Sequence, residues 1–168
     1  MIYIKEDDLY IRYHTNETGK LIRTSKDKNE IVILNEISKE FDAIISGDGK
    51  IHFVLQGLNG ELLYLKKERD TWKKYSIFKS RKGLQKISNI KLVVAENILC
   101  AFYVINHREK NLLVKHIFSV DDLFKEPEIL GICKSNHDFV MCNSSKGQTT
   151  VIFKDDDNNI RKIIFDKK

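Results

Sequence analysis

Residues 41–78, FDAIISGDGKIHFVLQGLNGELLYLKKERDTWKKYSIF, are broken at short intervals by Ser46-Gly47-Asp48-Gly49, Gly57-Leu58-Asn59-Gly60 and Arg69-Asp70. Gly and Asn supply the positive φ angles of tight hairpins, so these places read as turns. The apolar residues between them are Leu, aromatic or β-branched: Ile44, Ile45, Ile51, Phe53, Leu55, Leu62, Tyr64, Trp72, Tyr75 and Ile77. Four short strands joined only by hairpins predict an antiparallel meander.

The same strand, polar turn and apolar restart recur along the chain. LYIRYHTNETGKLIRTSKDK turns at Asn16–Gly19 and restarts at Leu21. LCAFYVINHREKNLLVKHIF turns at Asn106–Asn111 and restarts at Leu112; TTVIFKDDDNNIRKIIF turns at Asp155–Asn159 and restarts at Ile160. The copies lie about 40 to 50 residues apart, the interval of a four-stranded unit. Opening strands are expected at Ile2–Lys5, Phe41–Ser46, Ile87–Ala95 and His137–Asn143, and closing strands at Glu30–Ile37, Thr71–Phe78 and Glu128–Ile132. Only Asp166, Lys167 and Lys168 follow Phe165, so the fourth unit is expected to be incomplete. The expected organisation is one all-β domain, 1–168, with units near 1–40, 41–86, 87–136 and 137–168. Asp121–Lys125 can form one helical turn, capped by Asp121 and stopped by Pro127. Residues 79–86 read as a polar connector.

This repeat resembles the β-propeller superfamily, in particular divergent bacterial propellers and propeller lectins. The residues that carry the resemblance are Asp48-Gly49, Ile51–Val54, Asn59-Gly60, Leu62–Leu65 and Trp72. It implies about four antiparallel four-stranded blades, the last incomplete. Such a chain either borrows its N-terminal strand to finish the last blade or completes a ring with a second copy, pairing along the open edge of Ile160–Phe165. Self-association is the expectation. A piece of a longer propeller would give the same sequence.

The resemblance extends to sialidases, which would bring an arginine cluster, an acid/base residue, a Tyr–Glu pair and Ser-x-Asp-x-Gly-x-Thr-Trp boxes. The six arginines, 12, 23, 69, 81, 108 and 161, fall in no repeated phase, and Asp70-Thr71-Trp72 lacks the Ser and Gly of the box. No pair of carboxylates stands out for glycoside hydrolysis. A glycan-acting enzyme whose site forms on ring closure is therefore the alternative to a non-enzymatic scaffold binding protein or glycan.

Other motifs point to no catalytic, cofactor or metal site. Cys133, His137 and Cys142 lack a fourth ligand for structural zinc. Asp155-Asp156-Asp157-Asn158-Asn159 lacks the continuation of an EF-hand and reads as a solvated turn. Ser46–Lys50 lacks P-loop spacing and a following helix. His14, His52, His107 and His116 have no helical pairing; His52 faces opposite to Ile51 and Phe53, a polar lining or a hydrogen-bonded core position. Tyr10, Tyr13, Phe53, Tyr64, Trp72, Tyr75, Phe102, Tyr103 and Phe153 read as core, with pocket lining the alternative. Lys73, Lys74 and the basic connector Lys79–Lys86 have no stacking platform, which disfavours nucleic acid.

In 168 residues, 42% hydrophobic and 32% charged, there is material for one soluble core. No apolar run reaches the length of a membrane span, and MIYIKEDDLY lacks a signal-peptide core. The net charge of +5 comes from Lys scattered among acids, as AT-rich coding bias and sheet-edge protection both produce. An odd, sparse cysteine set, Cys100, Cys133 and Cys142, fits a reducing compartment, so a cytoplasmic location is expected.

Overall fold

A computed structural model describes residues 1–6, 8–35, 37–79, 86–95, 98–118, 126–143 and 148–165. The chain divides into two compact units, Met1–Gly83 and Leu84–Lys168. The described residues form only strands, turns and irregular chain, and no helix among them is long and apolar enough to cross a membrane.

In the first unit, β1 (Ile2–Glu6), β2 (Leu9–Thr15), β3 (Leu21–Thr24) and β4 (Glu30–Leu34) form one antiparallel sheet in chain order. A second follows from β5 (Ile37–Ile45), β6 (Ile51–Gly57), β7 (Glu61–Glu68) and β8 (Thr71–Lys79). In the second unit, β9 (Ile87–Ala95), β10 (Ile98–His107), β11 (Lys110–Phe118) and β12 (Glu128–Cys133) form a four-stranded sheet. β13 (Phe139–Asn143), β14 (Thr149–Lys154) and β15 (Ile160–Phe165) form a three-stranded one. The predicted meanders are all present.

At three places the boundaries differ from expectation by more than one residue, each for a pairing reason. Ile37 does not close the first meander: β4 ends at Leu34, and Ile37 pairs with Gly57 as the start of β5. The third central hairpin does not turn over Asn106–Asn111. Its ladder runs on to His107↔Lys110, leaving a two-residue turn with Arg108 at φ 48° and Glu109 at φ 65°. Paired left-handed residues match the twist of a hairpin, and here ladder pairing imposes that conformation without glycine. The last meander opens at Phe139, because Asp138 N–H donates to the carbonyl of Ser135 and closes a turn there. The helical turn expected over Asp121–Lys125 lies outside the described residues, as does most of the connector 79–86.

Period-two alternation gives each sheet a core face. In the first unit, Ile4, Ile11, Tyr13 and Leu21 pack against Ile51, Phe53, Leu55, Leu63 and Leu65. Phe53 is fully buried, with Tyr13 at 5.0 Å, Trp72 at 5.3 Å and Phe41 at 6.1 Å between ring centroids. In the second unit, Val93, Phe102, Val104, Leu113 and Cys133 pack with Phe139, Val151 and Phe153. Burial, followed by the charge of Asp138, pushes the Cys133 thiol up to about 11, which makes it a core residue rather than a nucleophile.

Candidate functional site

A cleft of about 400 Å³ opens on the first unit where three chain segments converge. β1 contributes Lys5 and Glu6 from its end, and the β5–β6 hairpin contributes Ile45, Asp48, Gly49, Lys50 and Ile51. The end of β7 and the turn after it contribute Lys67 and Arg69.

The hairpin is fixed by its own residues. Ser46 N–H donates to the Lys50 carbonyl and Gly49 N–H to the Ser46 carbonyl, both at 2.9 Å. Gly49 sits at φ 78°, a conformation an L side chain adopts only with strain. The Asp48 carboxylate accepts from the Lys50 ammonium and the Ser46 hydroxyl, and those bonds hold its carboxyl well below the usual carboxylate range.

From Asp48 a chain of hydrogen bonds runs inward. Because Ser46 gives its proton to Asp48, its Oγ accepts from His52 Nε2 at 2.8 Å. His52 Nδ1 then accepts the Tyr64 hydroxyl at 2.7 Å. This order requires a neutral imidazole, and burial, followed by the charge of Lys66, lowers the His52 pKa accordingly. Sequence alternation left His52 as a polar lining or a hydrogen-bonded core position, and the structure shows the second. The unfolded chain binds the proton more readily, so native stability falls as pH drops below the ordinary value of 6.5 and is flat above it. Urea midpoints measured at about pH 7.5 and about pH 5.5 are expected to separate less in His52→Gln than in the parent. An equal separation would remove His52 as a source of the dependence. His14, also lowered by burial, titrates in the same sense and supplies the residual slope.

The other wall holds a half-buried ion cluster. Glu6, with an 11% exposed side chain, accepts from Lys67 Nζ at 2.6 Å and from the Tyr13 hydroxyl, and Arg23 Nε lies 3.5 Å away. Burial alone would raise its pKa; the hydrogen bonds from Lys67 and Tyr13 and the two cations outweigh it, and the net direction is down.

Of the motifs weighed in the sequence, Ser46–Lys50 reaches this cleft as a hairpin wall rather than a phosphate loop, joined by Ile51 of the following strand and by Arg69 of the six arginines. Cys133 is buried and His137 exposed, while the Cys142 side chain lies outside the described residues. Asp155, Asp156 and Asp157 offer oxygens within 4.8 Å of one another. The Asp155 carboxylate, however, is occupied by Arg161 Nε at 2.7 Å and Asn159 N–H at 2.7 Å. That makes it a turn anchor. Lys5, Glu6 and Lys67 carried no chemical signal in the sequence, and Arg69 stood out there only as a turn residue and as one of six arginines in no repeated phase; Glu6 and Lys67 meet only because two meanders stack.

No family model matches the chain, and no curated protein matches it. Among solved structures it is similar to a mutant of the Aleuria aurantia lectin in complex with alpha-methyl-L-fucoside. The TM-score is 0.55 and the identity 12%, covering 94% of this chain and 55% of the lectin chain. The chain thus spans little more than half of that protein's length. At this identity the likeness speaks to the fold alone, antiparallel meanders of a propeller-like kind.

Proposed function

We propose that the chain is a non-enzymatic binding module that takes a glycan in the cleft of its first unit and associates with a second copy of itself. The likeness to a lectin supports the ligand class. The observation that carries the reading is the state of the cleft's two carboxylates. Glycoside hydrolysis needs one carboxyl kept protonated to serve as acid, with its pKa raised. Glu6 and Asp48 are both drawn downward by cations that already hold them. A site so arranged offers fixed acceptors and cations to hydroxyls and anions, which is recognition rather than bond cleavage. A glycan array with the purified protein tests the ligand class. Flat signal on every sugar, or capture of a protein ligand that leaves the cleft untouched, would overturn it. Steady turnover of fluorogenic glycosides, lost on replacing Glu6, would put the sialidase-like alternative in its place.

Self-association rests on the outer faces of the first and last sheets. Met1, Tyr3 and Tyr10 are 73%, 59% and 69% exposed on one, and Val140, Ile160 and Ile164 are 57%, 78% and 46% exposed on the other. Sheets elsewhere in each unit bury such residues face to face, and an apolar strand at a sheet edge invites pairing. Native mass spectrometry is expected to give a dimer that Ile160→Lys with Ile164→Lys converts to monomer. A parent that stays monomeric at micromolar concentration dismisses the idea.

A further inference from the structure

We infer that the saccharide taken by the cleft is an anionic one, its carboxylate or sulfate held by Arg69 and Lys5; the inference rests on the glycan-binding reading above. Four cations line the cleft, Lys5, Lys50, Lys67 and Arg69, against two carboxylates, Glu6 and Asp48. Those carboxylates are already compensated: Lys50 holds Asp48, and Lys67 holds Glu6 with Arg23 beside it. Lys5 and Arg69 remain. Among the described residues Lys5 pairs only with Asp8, whose side chain is 94% exposed, and so close to bulk water such a pair contributes little. Arg69 makes no hydrogen bond or ion pair among the described residues. The cleft therefore presents surplus positive charge, one part of it a guanidinium fork shaped for a planar oxyanion.

The rest of the lining says what kind of molecule carries the anion. Ile45 and Ile51 give a small apolar floor. An added side-chain carbon at Gly49 would meet nothing within 4 Å, so the wall is open there. Asp48 and Glu6 keep acceptor lone pairs for hydroxyl groups. None of the described lining residues is aromatic. Without a ring to stack on, a neutral sugar gains little here, and a nucleobase gains less. A polyhydroxylated anion uses every group the cleft has.

The test is isothermal titration with four probes: a heparin-derived tetrasaccharide, tetragalacturonate, maltotetraose and a short single-stranded DNA. At least one anionic saccharide is expected to bind about tenfold or more tighter than maltotetraose, with affinity falling as salt is raised. Arg69→Asn with Lys5→Gln is expected to lower that affinity about tenfold or more. Arg69 sits at φ 54°, where Asn is the less strained residue, so this variant keeps its fold. Arg108→Asn, at φ 48° in the second unit, is the matched control and is expected to bind as the parent does. Response to tetragalacturonate identifies the carboxylate as sufficient; response to the heparin fragment alone identifies sulfate. Equal binding of maltotetraose overturns the inference and leaves the glycan reading standing, whereas silence on all three saccharides overturns both. Tighter binding of the DNA, or indifference to the Arg69 and Lys5 changes, also removes it.

Discussion

Phe53→Ala is expected to cost the first unit about 3–5 kcal/mol, the usual loss for deleting a buried aromatic ring. Phe53 is fully shielded from solvent and sits among Tyr13, Phe41 and Trp72. The first of these rings meets it edge to face, an arrangement that adds to simple burial. The gap left by alanine is flanked by strands of two sheets, each locked in register by its ladder, so the walls cannot close on it cheaply. Domain stabilities are about 5–15 kcal/mol, so the loss approaches unfolding. Trp72 is the single tryptophan and lies 5.3 Å from the deleted ring, so its emission reports this core alone during urea titration. Phe53→Leu, which keeps most of the volume, is expected to lose only about half as much or less. A loss below about 1 kcal/mol for the alanine variant would mean that the two sheets do not meet through this ring.

The strand rhythm that places Phe53 inward was legible because each turn in that stretch carries its own chemistry. Gly49 and Gly60 occupy the left-handed positions their sequence suggested, at φ 78° and 72°. Ile87–Ala95 was expected and found with the same ends. Legibility failed where pairing overrode local preference. Nothing in Arg108-Glu109 announces a tight turn, since neither residue favours positive φ. Register shifts between Leu21 and Ile22 and between Phe102 and Val104 likewise leave no composition signal. The candidate site suffered most. His52 could be assigned a polar role from alternation, but its partners Ser46 and Tyr64 are set by ladder register. Glu6 and Lys67 are 61 residues apart, and no pattern within either strand links them. Asp155 looked like one of several solvated turn acids. Its burial follows from an isolated bridge to Cys133 that a sequence does not display.

Gly131→Ala is expected to destabilise the second unit by about 1–3 kcal/mol, and Phe153→Leu is expected to return much of the loss. A side-chain carbon at Gly131 would lie 2.8 Å from Cζ and 2.9 Å from Cε2 of Phe153, closer than such atoms approach. Neither partner can yield easily. Gly131 is paired with Leu113 beside a register shift, and Phe153 is 5% exposed in the core with Phe139 and Val151. No positive φ is involved at Gly131, so the penalty is steric and not conformational. Alanine lowers the entropy of the unfolded chain, which offsets roughly 0.4–1 kcal/mol of the clash. Phe153→Leu alone leaves a gap and is destabilising; combined with Gly131→Ala, that gap receives the new methyl group. The two changes should therefore couple favourably by about 1 kcal/mol or more in a double-mutant cycle followed by circular dichroism in urea. Strict additivity would mean that β12 moves away from the ring instead of pressing on it, and the tight approach of these two sheets would then not be what fixes their spacing.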